Sequence, residues 1–216
     1  MTTITPQILL KAYSVGVFPM AESADDPSLY WIEPDERGLI PLDGFHVSHS
    51  LRKSVRRRHY EIRIDTAFEA VLRACSEKTP ERDVTWINTR IIRLYTQLHK
   101  MGCAHSVESW NNGKLVGGLY GLQLGSAFFG ESMFARATDA SKVALVHLVA
   151  RLKAGGFSLL DAQFVNAHLE QFGCYKLAKP AYRVLLDAAL DKDADFAAFH
   201  ADADAEAVLA LAQGCA

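Results

Sequence analysis

The chain has 216 residues, half of them hydrophobic and 22% charged, with a formal net charge of -2. That is apolar mass enough for a real core, in one large domain or a main domain with a small companion, and it excludes a disordered or fibrous chain. No apolar run nears the roughly 20 residues that cross a bilayer as a helix. Cys75, Cys103, Cys174 and Cys215 show neither paired metal spacing nor a preceding secretory signal, so reduced thiols in a cytoplasmic protein are expected.

Pro6 to Val15 reads as a helix, with Thr5 as its cap, Pro6 in the first position and Gly16 as its stop. VFPM then turns into a loop. Tyr13, Phe18, Met20, Tyr30 and Trp31 crowd this part of the chain, and two readings stand: a satellite core under a long loop, or a stacking platform for a ligand base. From His46 to Tyr60 the chain carries its densest positive cluster, Arg52, Lys53, Arg56, Arg57 and Arg58. A helix capped by Ser48 or Ser50 puts Arg52 and Arg56 on one face, flanked by Lys53 and Arg57. Such a run is either a solvated face or a grip on phosphates. His46 and His49 have no third ligand nearby, which argues against zinc.

Glu61 to Ile64 alternates like a strand, and Thr66 to Ser76 like an amphipathic helix. A loop carrying Trp86 follows, and a domain boundary is expected there, dividing residues 1–80 from 81–216. Trp86 is a pocket lid or a core anchor. Asn88 to Met101 forms the next helix, with Ile91, Leu94, Tyr95 and Leu98 on its apolar side. Ala104 to Trp110 and Lys114 to Leu124 read as strands around a tight Asn-Asn-Gly turn. Gly117, Gly118 and Gly121 weaken the second strand unless it bulges or something approaches its backbone.

The chemistry concentrates between Ser126 and Gln163. In SAFFGESMF, Glu131 sits among Phe128, Phe129, Met133 and Phe134, and a carboxylate there needs a solvated cleft or a partner. Thr138 to Gly155 repeats apolar residues at helical spacing, with Asp139 or Ser141 as a possible cap. Phe157 to Val165 is extended, and Leu159, Asp161 and Gln163 share one of its faces. Glu131 and the Asp161, Gln163 pair are therefore expected at one cleft. A short helix from Asn166 to Phe172, the segment YKLAKPAY and an Ala-rich helical tail complete the chain.

Three antiparallel strands, a helix and a strand placed beside the third make an α+β order that resembles the GCN5-related N-acetyltransferases. The expectation is a domain of that type in the C-terminal part, with a small N-terminal α/β domain. The turn ARATDAS offers no glycine where a pyrophosphate would approach the backbone, which counts against CoA. The wording AYSVGVFPM, TWIN, HSVESW, LVGGLYG, FFGESMF, DASKVAL and LLDAQFVNAHLEQFG resembles the leucyl/phenylalanyl-tRNA-protein transferases, from about residue 9 to Gly173.

That resemblance implies transfer of Leu or Phe, and weakly Met, from aminoacyl-tRNA to the N-terminal Arg or Lys of an acceptor protein, marking it for degradation by the N-end rule. It implies no metal and no CoA. By the same resemblance Gln163 and Asp161 match the polar pair at the reaction centre, and Glu131 the acid beside the aminoacyl group. Trp86 and Tyr95 match aromatic positions near the terminal adenosine, Leu119 and Phe128 the wall of the side-chain pocket, and Tyr13 and Ser132 further substrate-binding positions. The five basic residues from Arg52 to Arg58 would then grip the acceptor stem. The chain departs from the family pattern twice: it lacks the glycine-rich leader before the first helix, and Met20 stands where some members carry an adenine-stacking tryptophan, a role Trp31 is the candidate to fill.

Overall fold

The computed structural model describes residues 4–78 and 84–214. Helix α1, Pro6–Ser14, begins where the Thr5 side chain accepts from Ile8 N, with Pro6 in the first turn, where a missing N–H leaves no bond unmade. The next stretch differs from the expected loop. Phe18–Met20 (β1) and Tyr30–Ile32 (β2) pair antiparallel as a small separate sheet. Helix α2, His49–Arg56, is capped by Ser48, and after strand β4, Glu61–Ile64, comes helix α3, Phe68–Ser76. Asn88 caps α4, Thr89–Lys100, its side chain accepting from Ile91 N at 2.8 Å.

Strands β5, Ala104–Asn111, and β6, Lys114–Leu124, meet at Asn112 and Gly113, both at positive φ, as a tight hairpin requires. Strand β7, Ala127–Ala135, lies antiparallel to β6. Helix α5, Ala140–Ala154, then crosses over, and β8, Leu159–Gln163, returns parallel to β7. Asp139 precedes α5 at φ 61° but makes no side-chain cap bond. The chain ends in α6 (Ala167–Glu170), β9 (Tyr175–Ala178), α7 (Lys179–Leu190) and α8 (Ala205–Gln213).

Strand β3, Glu36–Leu39, comes from the N-terminal part yet lies between β8 and β9, completing a seven-stranded sheet in the order β4-β5-β6-β7-β8-β3-β9. β4, also from before residue 80, forms one edge of the same sheet. The boundary expected near residue 80 falls at residues 79–83, outside the described residues. One apolar core, with Leu9, Leu72, Ile91 and Phe129, covers the face under α1, α3, α4 and α7. The other, with Phe128, Leu145, Phe157 and Leu209, fills the face under α2, α5 and α8.

Protein, not ligand, approaches the β6 glycines. A Cβ on Gly117 would fall 2.5 Å from Ala140 Cβ of α5, and one on Gly121 would fall 2.3 Å from the Phe128 ring. The bulge sits on the neighbouring strand: Gly121 pairs with Gly130 and Tyr120 with Ser132, which makes Glu131 the extra residue. β8 bulges too, since Gly38 pairs with Gln163 and Leu39 with Asp161, leaving Ala162 unmatched. β7 and β8 stay in register only from Ala127 and Leu159 to Phe129 and Asp161. Past that point they part.

Candidate active site

Where β7 and β8 separate, a cavity of about 330 Å³ opens. Glu131 and Ser132 reach it from β7, Asp161 and Gln163 from β8, and Leu119 from β6. Leu145 and Leu148 of α5, with Ile40, Met133 and Leu160, give it an apolar wall, and Phe18, Met20 and Trp86 also line it. A pocket of mainly apolar walls with a few convergent polar groups is the ordinary form of a small-ligand site. The three residues expected to converge do so.

Glu131 owes its direction to the bulge on β7, and its chemistry to what lies beneath it. Tyr13 Oη donates to Oε1 at 2.6 Å and is itself hydrogen-bonded to the Tyr95 hydroxyl. Burial pushes the Glu131 carboxyl up to about 7, against the pull of the Tyr13 and Tyr95 hydroxyls. Tyr13 and Tyr95 are fully buried and do not line the cavity. Their hydroxyls lie under the carboxylate.

Asp161 is wholly buried and surrounded by donors. Arg37 Nε lies 2.9 Å from both of its oxygens, Tyr182 Oη donates to Oδ2 at 2.6 Å, and Gln163 N donates to Oδ1 at 2.8 Å. Arg37 Nη2 is 2.8 Å from Oδ2 but too poorly aligned for a hydrogen bond, so its contribution is an ion-pair contact. Gln163 has φ +59°. Its amide suits its surroundings when Nε2 donates to Gly130 O at 2.8 Å and to Ala162 O at 3.1 Å, which turns Oε1 into its accepting group.

Other expected site residues divide. Leu119, Ser132 and Trp86 line the cavity. Phe128 does not: its ring stacks on Phe196 at 5.5 Å in the core under α5, because strand alternation sends it to the face opposite Phe129. Met20 lines the cavity, whereas Trp31 pairs with Pro19 and so points to the other face of its small sheet. Tyr30, opposite Met20 and exposed, is the β2 aromatic on the cavity side.

The basic residues lie on and just after α2, away from the cavity lining. Arg56 Nε is 2.7 Å from Glu206 of α8, and Arg58 reaches Asp202 O at 3.4 Å. Lys53 and Arg57 are exposed and make no ion pair among the described residues. Arg37, Tyr182 and the α5 leucines were not among the expected site residues, although Leu148 and Leu152 were expected on the helix.

Two family models cover most of the chain. Residues 39–187 match the leucyl/phenylalanyl-tRNA protein transferase model, and residues 2–35 match the model of that enzyme's N-terminal domain. The chain is also similar to a leucyl/phenylalanyl-tRNA protein transferase of Paramagnetospirillum magneticum, 59% identical over 91% of this chain and 94% of the relative. A second, from Rhodopseudomonas palustris, is 56% identical over 97% of this chain and 93% of the relative.

Proposed function

The chain belongs to the leucyl/phenylalanyl-tRNA protein transferase family, and from that premise we propose that it moves a leucyl or phenylalanyl group, and weakly a methionyl group, from tRNA to the N-terminal Arg or Lys of an acceptor protein. The observation that carries the reading is the meeting of Glu131, Asp161 and Gln163 at one cavity with an apolar wall. The acceptor's neutral α-amine attacks the ester carbonyl carbon. A C–N bond forms, the C–O bond to the terminal ribose breaks, and the amine proton ends on the departing ribose oxygen.

Ester to amide transfer is downhill, so alignment of the reactants is the main requirement. Gln163 Oε1 accepts a hydrogen bond from the attacking amine and aims its lone pair, while an amide oxygen is far too weak a base to keep the proton. Glu131 holds the α-ammonium of the aminoacyl ester. Leu119, Met133, Leu145, Leu148 and Leu160 receive its side chain. Trp86, which lines the cavity, stacks on the terminal base in this reading, and α2 meets the acceptor-stem phosphates.

We further read the β5-β6-β7, α5, β8 unit as arranged like the GCN5-related N-acetyltransferases, because β8 joins parallel beside β7 after a helical crossover. CoA is not the donor expected here. The start of α5, where a pyrophosphate would sit, carries the Asp139 carboxylate, which accepts from Ser54 Oγ at 2.9 Å and lies 3.4 Å from Lys142. The test mixes the purified protein with radiolabelled Leu-tRNA and a peptide beginning with Arg. Counts in the peptide are expected, dependent on its free α-amine; counts that stay with tRNA would refute the assignment.

A further inference from the structure

Gln163 is held in a backbone conformation that residues with side chains rarely take. Its φ is +59°, and Phe164 N donates across it to Ala162 O at 2.6 Å, closing a three-residue turn. Such turns persist where surrounding structure enforces them, and they gather at functional sites. Two sets of contacts enforce this one. Asp161 Oδ1 takes the Gln163 N–H, while Arg37 and Tyr182 grip both oxygens of Asp161 from behind. Across the seam with β3, Gly38 pairs with Gln163, and a Cβ there would fall 2.5 Å from Phe164 C, so the turn packs directly on bare backbone.

Arg37 is itself fixed on every side. Nη1 donates to Gly16 O at 2.9 Å, and the guanidinium lies over the Phe18 ring at 4.6 Å and the Tyr182 ring at 4.8 Å. With 1% of its surface exposed it cannot touch a substrate. A buried guanidinium lying over two rings and paired to a buried carboxylate is an expensive arrangement for mere scaffolding, since an apolar packing of the same volume is often as stable.

We infer that Arg37 and Tyr182 are positioning residues for aminoacyl transfer: by pinning Asp161 they keep Gln163 in its left-handed turn and aim Oε1 at the incoming amine. The inference rests on the role of Gln163 proposed above. It also assigns Asp161 the part of a backbone clamp rather than a proton acceptor. Both of its oxygens already receive donors from Arg37, Tyr182 and Gln163, so the amine proton passes to the ribose oxygen without visiting it.

Tyr182→Phe is the cleanest probe, because it deletes one O–H, keeps the ring over Arg37 and leaves the buried ion pair intact. Single-turnover transfer from Leu-tRNA to an Arg-starting peptide is measured for the wild type, Tyr182→Phe, Gln163→Ala and the double variant, with KM for both substrates and Tm. The expected result is a rate about tenfold lower in Tyr182→Phe with KM values within about twofold, as for a small misplacement of a catalytic atom. In the Gln163→Ala background the same change should have no further effect, because the clamp has nothing left to aim. A wild-type rate in Tyr182→Phe, or an equal further loss in the Gln163→Ala background, overturns the inference and leaves the role of Gln163 standing. A wild-type rate in Gln163→Ala overturns that role itself.

Discussion

Glu131 and Asp161 are two carboxylates of one cavity, and the difference between their surroundings is informative. Asp161 is ion-paired to Arg37 and has its oxygens filled by donors of the protein. Glu131 has phenols beneath it, Tyr13 in direct contact, and forms no ion pair among the described residues. Burial lifts its carboxyl to about 7, Arg37 opposing that rise and the nearby Asp161 charge adding to it. One negative charge is thus matched within the fold. The other has no ion-pair partner among the described residues, and under the function proposed above the aminoacyl ammonium is its partner.

The strongest way to break that contrast is to remove the unmatched charge. Glu131→Gln keeps shape and hydrogen bonding, so kcat/KM for Leu-tRNA should fall about 100-fold, in the range for removing one partner of a buried charge pair. The wild type should also show kcat/KM rising through pH about 7 as Glu131 ionises, and the variant should lose that limb. The limb set by the acceptor's own α-amine remains in both. An unchanged profile in Glu131→Gln would assign the cation to another group.

Stability should respond in the opposite sense. The folded state binds the Glu131 proton more tightly than the unfolded chain does, so the stability this group contributes is present below its ordinary 4.5 and is lost as pH rises through about 7. Glu131→Gln should therefore melt above the wild type at pH 8 and close to it at pH 4. Thermal scans at the two values check the sign, and a variant that melts lower at pH 8 contradicts it.

The apolar wall gives a smaller, selective effect. Leu148→Ala enlarges the cavity, and the ratio of kcat/KM for Phe-tRNA to that for Leu-tRNA should rise about tenfold, the scale set by a methylene or two in an apolar pocket. Phe128→Ala should leave that ratio unchanged and instead lower stability by ~3–5 kcal/mol, as loss of a buried phenyl does. A shifted ratio in Phe128→Ala would return its ring to the pocket.

How much of this was legible beforehand depends on whether the cause was local. Period-two spacing in FSLLDAQFV placed Asp161 and Gln163 on one face, and helical spacing placed α5 and α4, because each pattern reports its own segment. The bulge that turns Glu131 into the cavity is set by its register with β6, and nothing in FFGESMF announces it. Arg37 reads as one more charge in EPDERGL, since its partner lies 124 residues away. β1, β2 and β3 hold three or four residues each, too few for alternation to show. Tyr13 and Tyr95 were visible as helix-borne aromatics, but only the packing of α1 on α4 brings their hydroxyls together under Glu131.

The same distinction between matched and unmatched charge carries to α2, with the smallest effects. Arg56 has Glu206 at 2.7 Å, while Lys53 and Arg57 stand exposed without ion pairs among the described residues. If α2 meets the acceptor-stem backbone, Lys53→Ala and Arg57→Ala should each weaken tRNA binding a few-fold and lower the slope of log K against log salt by about 1. Arg56→Ala should change the slope less, because in the free protein Glu206 already occupies its guanidinium and must be displaced before a phosphate can use it. Glu206→Ala then serves as the converse: binding should tighten, as Arg56 is released. Equal slopes for all four variants and the wild type would move the RNA off this helix while leaving the carboxylate contrast at the cavity untouched.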